Sequence, residues 1–279
     1  MTATGTTLTS PGAPGAAGRP VAAQVRPVTL GRVIRSEWIK LRSLRSTVVV
    51  SALTVVIMVA LGLLIPYFAW KNAGPIERAH FDAIDRSLAG WHLAVLTVGI
   101  LGVLVITGEY TTGMIRATLG AVPRRLPVLW AKAAVFAPVT FVLALASSFA
   151  AFLGGQALIA SHGASLGTPG ALRAVFGVAL VLTLMGLLGL ALGFLTRNTA
   201  GGIAAVVVLI YVVEAIGNVL PSSWQPKVLP YLPLQAGQAL FLVRPEQNMM
   251  HPWPGFGVLC AYVVVGMALA AVALRRRDA

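Results

Sequence analysis

Residues Ser46 to Trp70 read STVVVSALTVVIMVALGLLIPYFAW, twenty-five residues without a formal charge. At about 1.5 Å per residue, an α-helix of this length exceeds the roughly 30 Å of a bilayer's hydrocarbon core. Tyr67, Phe68 and Trp70 close the run with aromatic rings, which favour the membrane–water interface. The stretch predicts the first transmembrane helix of an all-α membrane protein.

The pattern recurs along the chain. Ser87 to Gly108, Ala133 to Ala160, Ala174 to Thr196, about Ala200 to Leu220, and Trp253 to Leu274 are five further apolar runs of spanning length. They are parted by a mixed-charge loop from Lys71 to Arg86, a polar stretch from Glu109 to Lys132, the break SHGASLGTPG from Ser161 to Gly170, the short link Arg197, Asn198, Thr199, and a Pro- and aromatic-rich outer segment from Pro221 to Pro252. Arg275, Arg276 and Arg277 stop the last helix. Six transmembrane helices are expected. Composition agrees, because 57% of the residues are hydrophobic and 10% charged, whereas a soluble domain carries about a quarter charged residues.

Ahead of the first span, Leu30, Val33, Ile34, Trp38, Leu41 and Leu44 recur at spacings of three and four, with Arg32, Arg35, Lys40 and Arg42 largely on other faces. This predicts a basic amphipathic helix over residues 29 to 45, lying in the membrane interface. Residues 1 to 28, rich in Thr, Gly, Ala and Pro, read as a disordered cytoplasmic tail without the apolar core of a signal peptide. Residues 46 to 279 then form the six-helix transmembrane domain with a short basic C-terminal tail.

Charge sets the expected orientation. Fifteen of the 21 Lys and Arg residues fall in the N-terminal segment, the second and fourth loops and the C-terminus, so both ends are expected in the cytoplasm and the chain in the plasma (inner) membrane. The net charge of +13 forms no single basic face. It sits beside apolar spans, which points to anionic lipid head groups and not to nucleic acid.

Catalytic chemistry finds little support. There is no Gly-x-x-x-x-Gly-Lys-Ser/Thr loop, no Gly-x-Ser-x-Gly elbow, and one cysteine, Cys260, inside an apolar run. His80, His92, His162 and His251 lie in or beside separate outer loops without metal-ligand spacing. Leu153 to Gln156 reads LGGQ, like the tail of a cassette ATPase signature, but its place in an apolar helix favours small-residue packing. Gly189 and Gly193 form a Gly-x-x-x-Gly pair, suited to packing on a neighbour, a close helix crossing or a dimer contact.

Glu214 is the one formal charge inside a span and is a functional candidate on that ground. Tyr211 and Asn218 share its helical face. Two readings stay open: a structural or gating pair with Arg173 at the start of helix four, or a carboxylate facing a water-filled cavity.

The second loop is the most informative. Gly108, Glu109, Tyr110, Thr111, Thr112, Gly113, Met114, Ile115, Arg116, Ala117, Thr118 and Leu119 are followed by Pro123, Arg124 and Arg125. A short helix here, with polar Glu109 and Arg116 flanking apolar Tyr110, Met114, Ile115 and Leu119, suits a groove on a partner. The run resembles permeases of the type-2 (ABC-2) class of ABC exporters, which carry Glu-Tyr-x-x-Gly-x-x-Arg-x-x-Leu after helix two. The segment Ser36, Glu37, Trp38, Ile39, Lys40 before helix one, the six spans, and the long outer segment before helix six extend the likeness over about residues 29 to 275.

The resemblance implies that Glu109 to Leu119 forms a cytoplasmic coupling helix docking on a cassette ATPase subunit. It also implies a dimer with a second permease copy or homologue, and outward movement of a drug-like, peptide, lipid-linked or other amphipathic substrate. ATP and Mg²⁺ are then bound by the partner subunit, and this chain binds no cofactor. Two rival classes are a non-transporting sensor or immunity subunit, which the same fold could serve, and a membrane-embedded enzyme, for which no acid, base or nucleophile set is found.

Overall fold

The computed structural model describes residues 29–122, 125–159, 163–244 and 249–276. The expected tail over residues 1 to 28, together with Pro123, Arg124, His162 and Arg277, lies outside them. Among the described residues the structure is all-helical. In chain order the helices are α1 (Leu30–Ser43), α2 (Arg45–Asn72), α3 (Pro75–Ala79), α4 (Ala83–Leu88), α5 (Trp91–Thr111), α6 (Met114–Ala121), α7 (Leu126–Ile159), α8 (Ala171–Thr196), α9 (Thr199–Val207), α10 (Val213–Val219), α11 (Gln225–Val228), α12 (Pro233–Phe241) and α13 (Pro252–Arg276). A π-helical turn, Val208–Val212, joins α9 to α10.

Six helical stretches are long and apolar enough to cross a membrane: α2, α4 with α5, α7, α8, α9 through α10, and α13. The number matches the sequence reading, and the boundaries shift mainly at polar ends. Helix three begins at Leu126, not Ala133, and so takes in Lys132. The mixed-charge loop holds two short helices, each explained by its first residues. Pro75 opens α3 with φ already fixed, and the Asp82 carboxylate caps α4 by accepting from the Ile84 and Asp85 amides at 3.1 Å. In the outer segment, α12 is buried along most of its length and packs on α8 and α13.

Helices α5 and α8 form the most extensive pair and the most enclosed spans, while α2, α9 to α10 and α13 leave most of their surface outward. Their close approach rests on glycine. A Cβ on Gly189 would collide with the Gly99 carbonyl oxygen, and one on Gly102 with the Gly186 carbonyl oxygen. The Gly189, Gly193 pair thus serves a crossing inside this chain, since Gly193 lies against the Val103 backbone. Gly189→Val is expected to lower stability by about 3 kcal/mol through overpacking, measured as a drop in melting temperature of the detergent-solubilised protein.

The LGGQ stretch is likewise structural. A Cβ on Gly155 would strike the Gly62 carbonyl oxygen and Ser87. Gln156 donates from Nε2 to the Ala83 carbonyl at 2.8 Å and to Ser87 Oγ at 2.9 Å, and its Oε1 accepts from the Ala164 amide at 2.6 Å.

Contacts at one end of the bundle gather α1, the α5–α6–α7 junction, the α8–α9 link and the end of α13. Thr199 Oγ1 meets Thr107 Oγ1 at 3.0 Å, and Arg125 donates to the Leu274 carbonyl at 3.4 Å. Both described termini therefore lie at the same end, as an even number of spans requires.

Candidate functional site

The α5–α6 junction turns on Gly113, whose φ of 70° is open to glycine at little cost. Thr111 and Thr112 donate their hydroxyls back to the Thr107 and Gly108 carbonyls at 3.0 and 2.8 Å, finishing α5. The coupling helix expected over Glu109 to Leu119 is therefore divided: Glu109 to Thr111 end α5, and from Met114 the chain runs as α6.

The faces of α6 differ from the sequence reading. Ile115 is buried in the main apolar core, and Leu119 and Tyr110 pack against that core. The Arg197 guanidinium lies 5.5 Å from the centre of the Tyr110 ring. Three of the four apolar residues expected to enter a partner's groove thus fasten the segment to its own protein. Only Met114, 37% exposed, remains outward, together with Thr111, Thr112, Gly113 and Arg116.

Glu109 departs furthest from the expected solvated flank. It is 1% exposed and belongs to a four-charge cluster with Glu37 and Lys40 of α1 and Lys132 of α7. Lys132 Nζ donates to Glu37 Oε2 at 2.5 Å and to Glu109 Oε1 at 2.7 Å. Lys40 Nζ donates to Glu37 Oε1 at 2.8 Å, to Glu109 Oε1 at 3.1 Å and to Thr118 Oγ1 at 3.1 Å. The Thr118 hydroxyl also lies 3.1 Å from Glu109 Oε2, so α6 is tied into the same network.

Two carboxylates face two ammonium groups, and the formal charge of the cluster is zero. That balance is what makes burial tolerable, because a lone ion removed from water loses several kcal/mol of solvation. Burial opposes the charge on Lys40, but the Glu37 and Glu109 carboxylates outweigh it and hold its pKa above the ordinary lysine value. The stabilisation from Lys40 is therefore complete at neutral pH and below, and fades only as pH rises through that raised value.

Packing places the cluster. Val33, Glu37 and Leu41 form the buried stripe of α1, four residues apart, and α1 packs on α7. Beside the charges, Val33, Val122, Val128 and Ala131 make a small separate core, joined by Ile34 and Leu119. The helix expected over residues 29 to 45 is present, yet its buried stripe carries a carboxylate, and the exposed Leu30 and Trp38 lie on other faces. From the sequence, Lys132 reads as the end of a polar loop and nothing sets Thr118 apart from its neighbours. The available signal was an acid, Glu37, on the apolar stripe of its helix, and a lysine between the apolar residues Ala131 and Ala133.

At the opposite end, Arg173 and Glu214 have different partners. Arg173 donates to the Leu240 and Leu242 carbonyls at the end of α12, at 2.5 and 3.2 Å, where a cation complements the helix terminus. Glu214 Oε1 accepts from Gln235 Nε2 at 2.9 Å. Each is thus attached to α12 or to Leu242 just after it, where one of the two open readings paired Glu214 with Arg173. Tyr211, in the π turn, donates its hydroxyl to the His92 carbonyl at 2.6 Å, and Asn218 donates to the Glu214 carbonyl at 3.1 Å. Among the described residues no group of His, Cys, Asp and Glu is placed to hold a metal ion.

No curated protein matches the chain. Among protein families, the model described as ABC-2 family transporter protein matches residues 33–213, well over half of the sequence. That stretch takes in α1 from Val33 onward, the junction at Gly113, α6 and all four charges of the cluster. With six helices of spanning length, two before this junction and four after it, the chain belongs to the ABC-2 transporter family and is a multi-pass membrane permease of an ABC transporter.

Proposed function

We propose that the chain is the transmembrane permease subunit of an ATP-driven exporter, working with a second permease copy or homologue and with cassette ATPase subunits that bind ATP and Mg²⁺. The substrate class is amphipathic: a drug-like molecule, a peptide or a lipid-linked compound, moved outward by alternating access. Both termini and α6 lie on the cytoplasmic side of the plasma membrane in this reading, which the bias of Lys and Arg supports.

The observation that carries the proposal is the attachment of α6. Its outward residues, Thr112, Met114 and Arg116, are available to a partner, while Ile115, Leu119 and the Thr118 hydroxyl fix it to α1, α5 and α7. A push on the exposed face is thereby delivered to two spanning helices and to α1 together, because a packed charged network moves as a unit and does not yield gradually. Glu109 acts within this linkage, not at the docking surface. Glu214, Tyr211, Asn218 and Arg173 brace the far ends of the spans, where the π turn allows a local change of helical register.

Side-specific labelling tests the orientation on which this depends. With Cys260 replaced by serine, Met114→Cys should react with a membrane-impermeant maleimide in inverted vesicles and stay unlabelled in intact cells. Labelling in intact cells would place α6 on the wrong side for any ATPase and remove the proposal.

A further inference from the structure

We propose that the α1 end of the bundle holds one anionic phospholipid between α1, α2 and α7. An open groove of about 510 Å³ runs there, apolar over nearly all its lining, from Trp38 and Arg42 on α1 down α2 between Thr47 and Val56, with Val139 and Leu143 of α7 as its far wall. The volume falls in the range of small-molecule sites. Thr47 to Val56 covers nine helical steps, or about 14 Å, close to half the roughly 30 Å thickness of a hydrocarbon core. The groove is as deep as one leaflet.

Charge identifies the occupant. Trp38 and Arg42 line the polar mouth, and Arg35, also exposed, stands one turn beyond Trp38 on the same face of α1, at spacings of three and four. The acid that could neutralise them, Glu37, is turned inward and engaged by Lys40 and Lys132. Arg45 adds an exposed cation where α2 begins. A phosphodiester at Arg35 and Arg42 with an acyl chain lying along α2 meets both features, and Trp38 sits at head-group depth. A zwitterionic head group would gain less, because its own cation cancels the attraction.

Lipid retention in this groove requires no transport and is independent of the exporter reading. It is tested on the full chain in nanodiscs of phosphatidylcholine containing a minority of phosphatidylglycerol, with tightly retained lipids counted by native mass spectrometry after transfer to detergent. The wild-type chain should retain one phosphatidylglycerol beyond the number carried by R35A/R42A. Each arginine near a membrane surface is worth about five-fold in affinity, so the double variant should bind about 30-fold more weakly. Ala52→Phe, which fills the groove and leaves the arginines, should lose the same lipid, whereas R275Q/R276Q should keep it. Equal retention by wild type and R35A/R42A, or equal retention of phosphatidylcholine and phosphatidylglycerol by wild type, overturns the proposal.

Discussion

Replacing Lys132 with methionine should destabilise the protein by about 3–5 kcal/mol, the cost of leaving a buried charge without its partner. Lys132 donates to both Glu37 and Glu109 and is 2% exposed. Its loss leaves two carboxylates sharing the single ammonium of Lys40. The change should appear as a much lower yield of monodisperse protein and a melting temperature depressed by many degrees. Adding Glu109→Gln to Lys132→Met restores neutrality, because Glu37 and Lys40 remain a matched pair. The double variant should recover a large part of the lost stability. A double variant as unstable as Lys132→Met alone would show that shape, not charge balance, governs the cluster.

The second large effect concerns association. Met114→Asp combined with Arg116→Glu alters two side chains directed away from the protein, and surface changes of this kind usually stay within about 0.5 kcal/mol of wild-type stability. If α6 is the docking element, the pair should weaken binding of the ATPase subunit by about 2 kcal/mol, some 30-fold. Surface plasmon resonance with the permease held in nanodiscs would measure it, and stimulated ATP hydrolysis should fall in parallel. The contrast with Ile115→Asp is diagnostic: that residue is buried in the permease's own core, so its loss should damage folding first. Unchanged affinity for Met114→Asp/Arg116→Glu would mean that the ATPase contacts another surface.

The spans were legible because each is a local property, an unbroken apolar run of sufficient length. The Gly-rich α5–α8 contact was half legible: Gly189 and Gly193 announce a close approach without naming the partner. The charged cluster was not legible as a unit. Lys132 borders the apolar run that begins at Ala133, and a lysine in that position reads as the edge of a span. Only the arrival of Glu37, 95 residues earlier, and Glu109, 23 residues earlier, makes its burial possible. The same limit explains α6, where an amphipathic pattern shows that one face is covered but not whether a partner or the protein itself covers it. Arg173 and Glu214 illustrate it again, since two opposite charges at similar depth invite pairing, and each instead meets polar groups of α12 or the residues following it that no periodicity foretells.

The separation of Glu37 from Lys132 also bears on biosynthesis. At about 5–20 residues per second, the ribosome needs roughly 5–20 s to make the 95 residues between them. Throughout that interval α1 has been made but its acid lacks one of its two cations, so Glu37 must stay hydrated until the second arrives. Helix α1 can lock down only after the third span has begun to emerge, which makes it a late-seating latch although it is translated ahead of the other described helices.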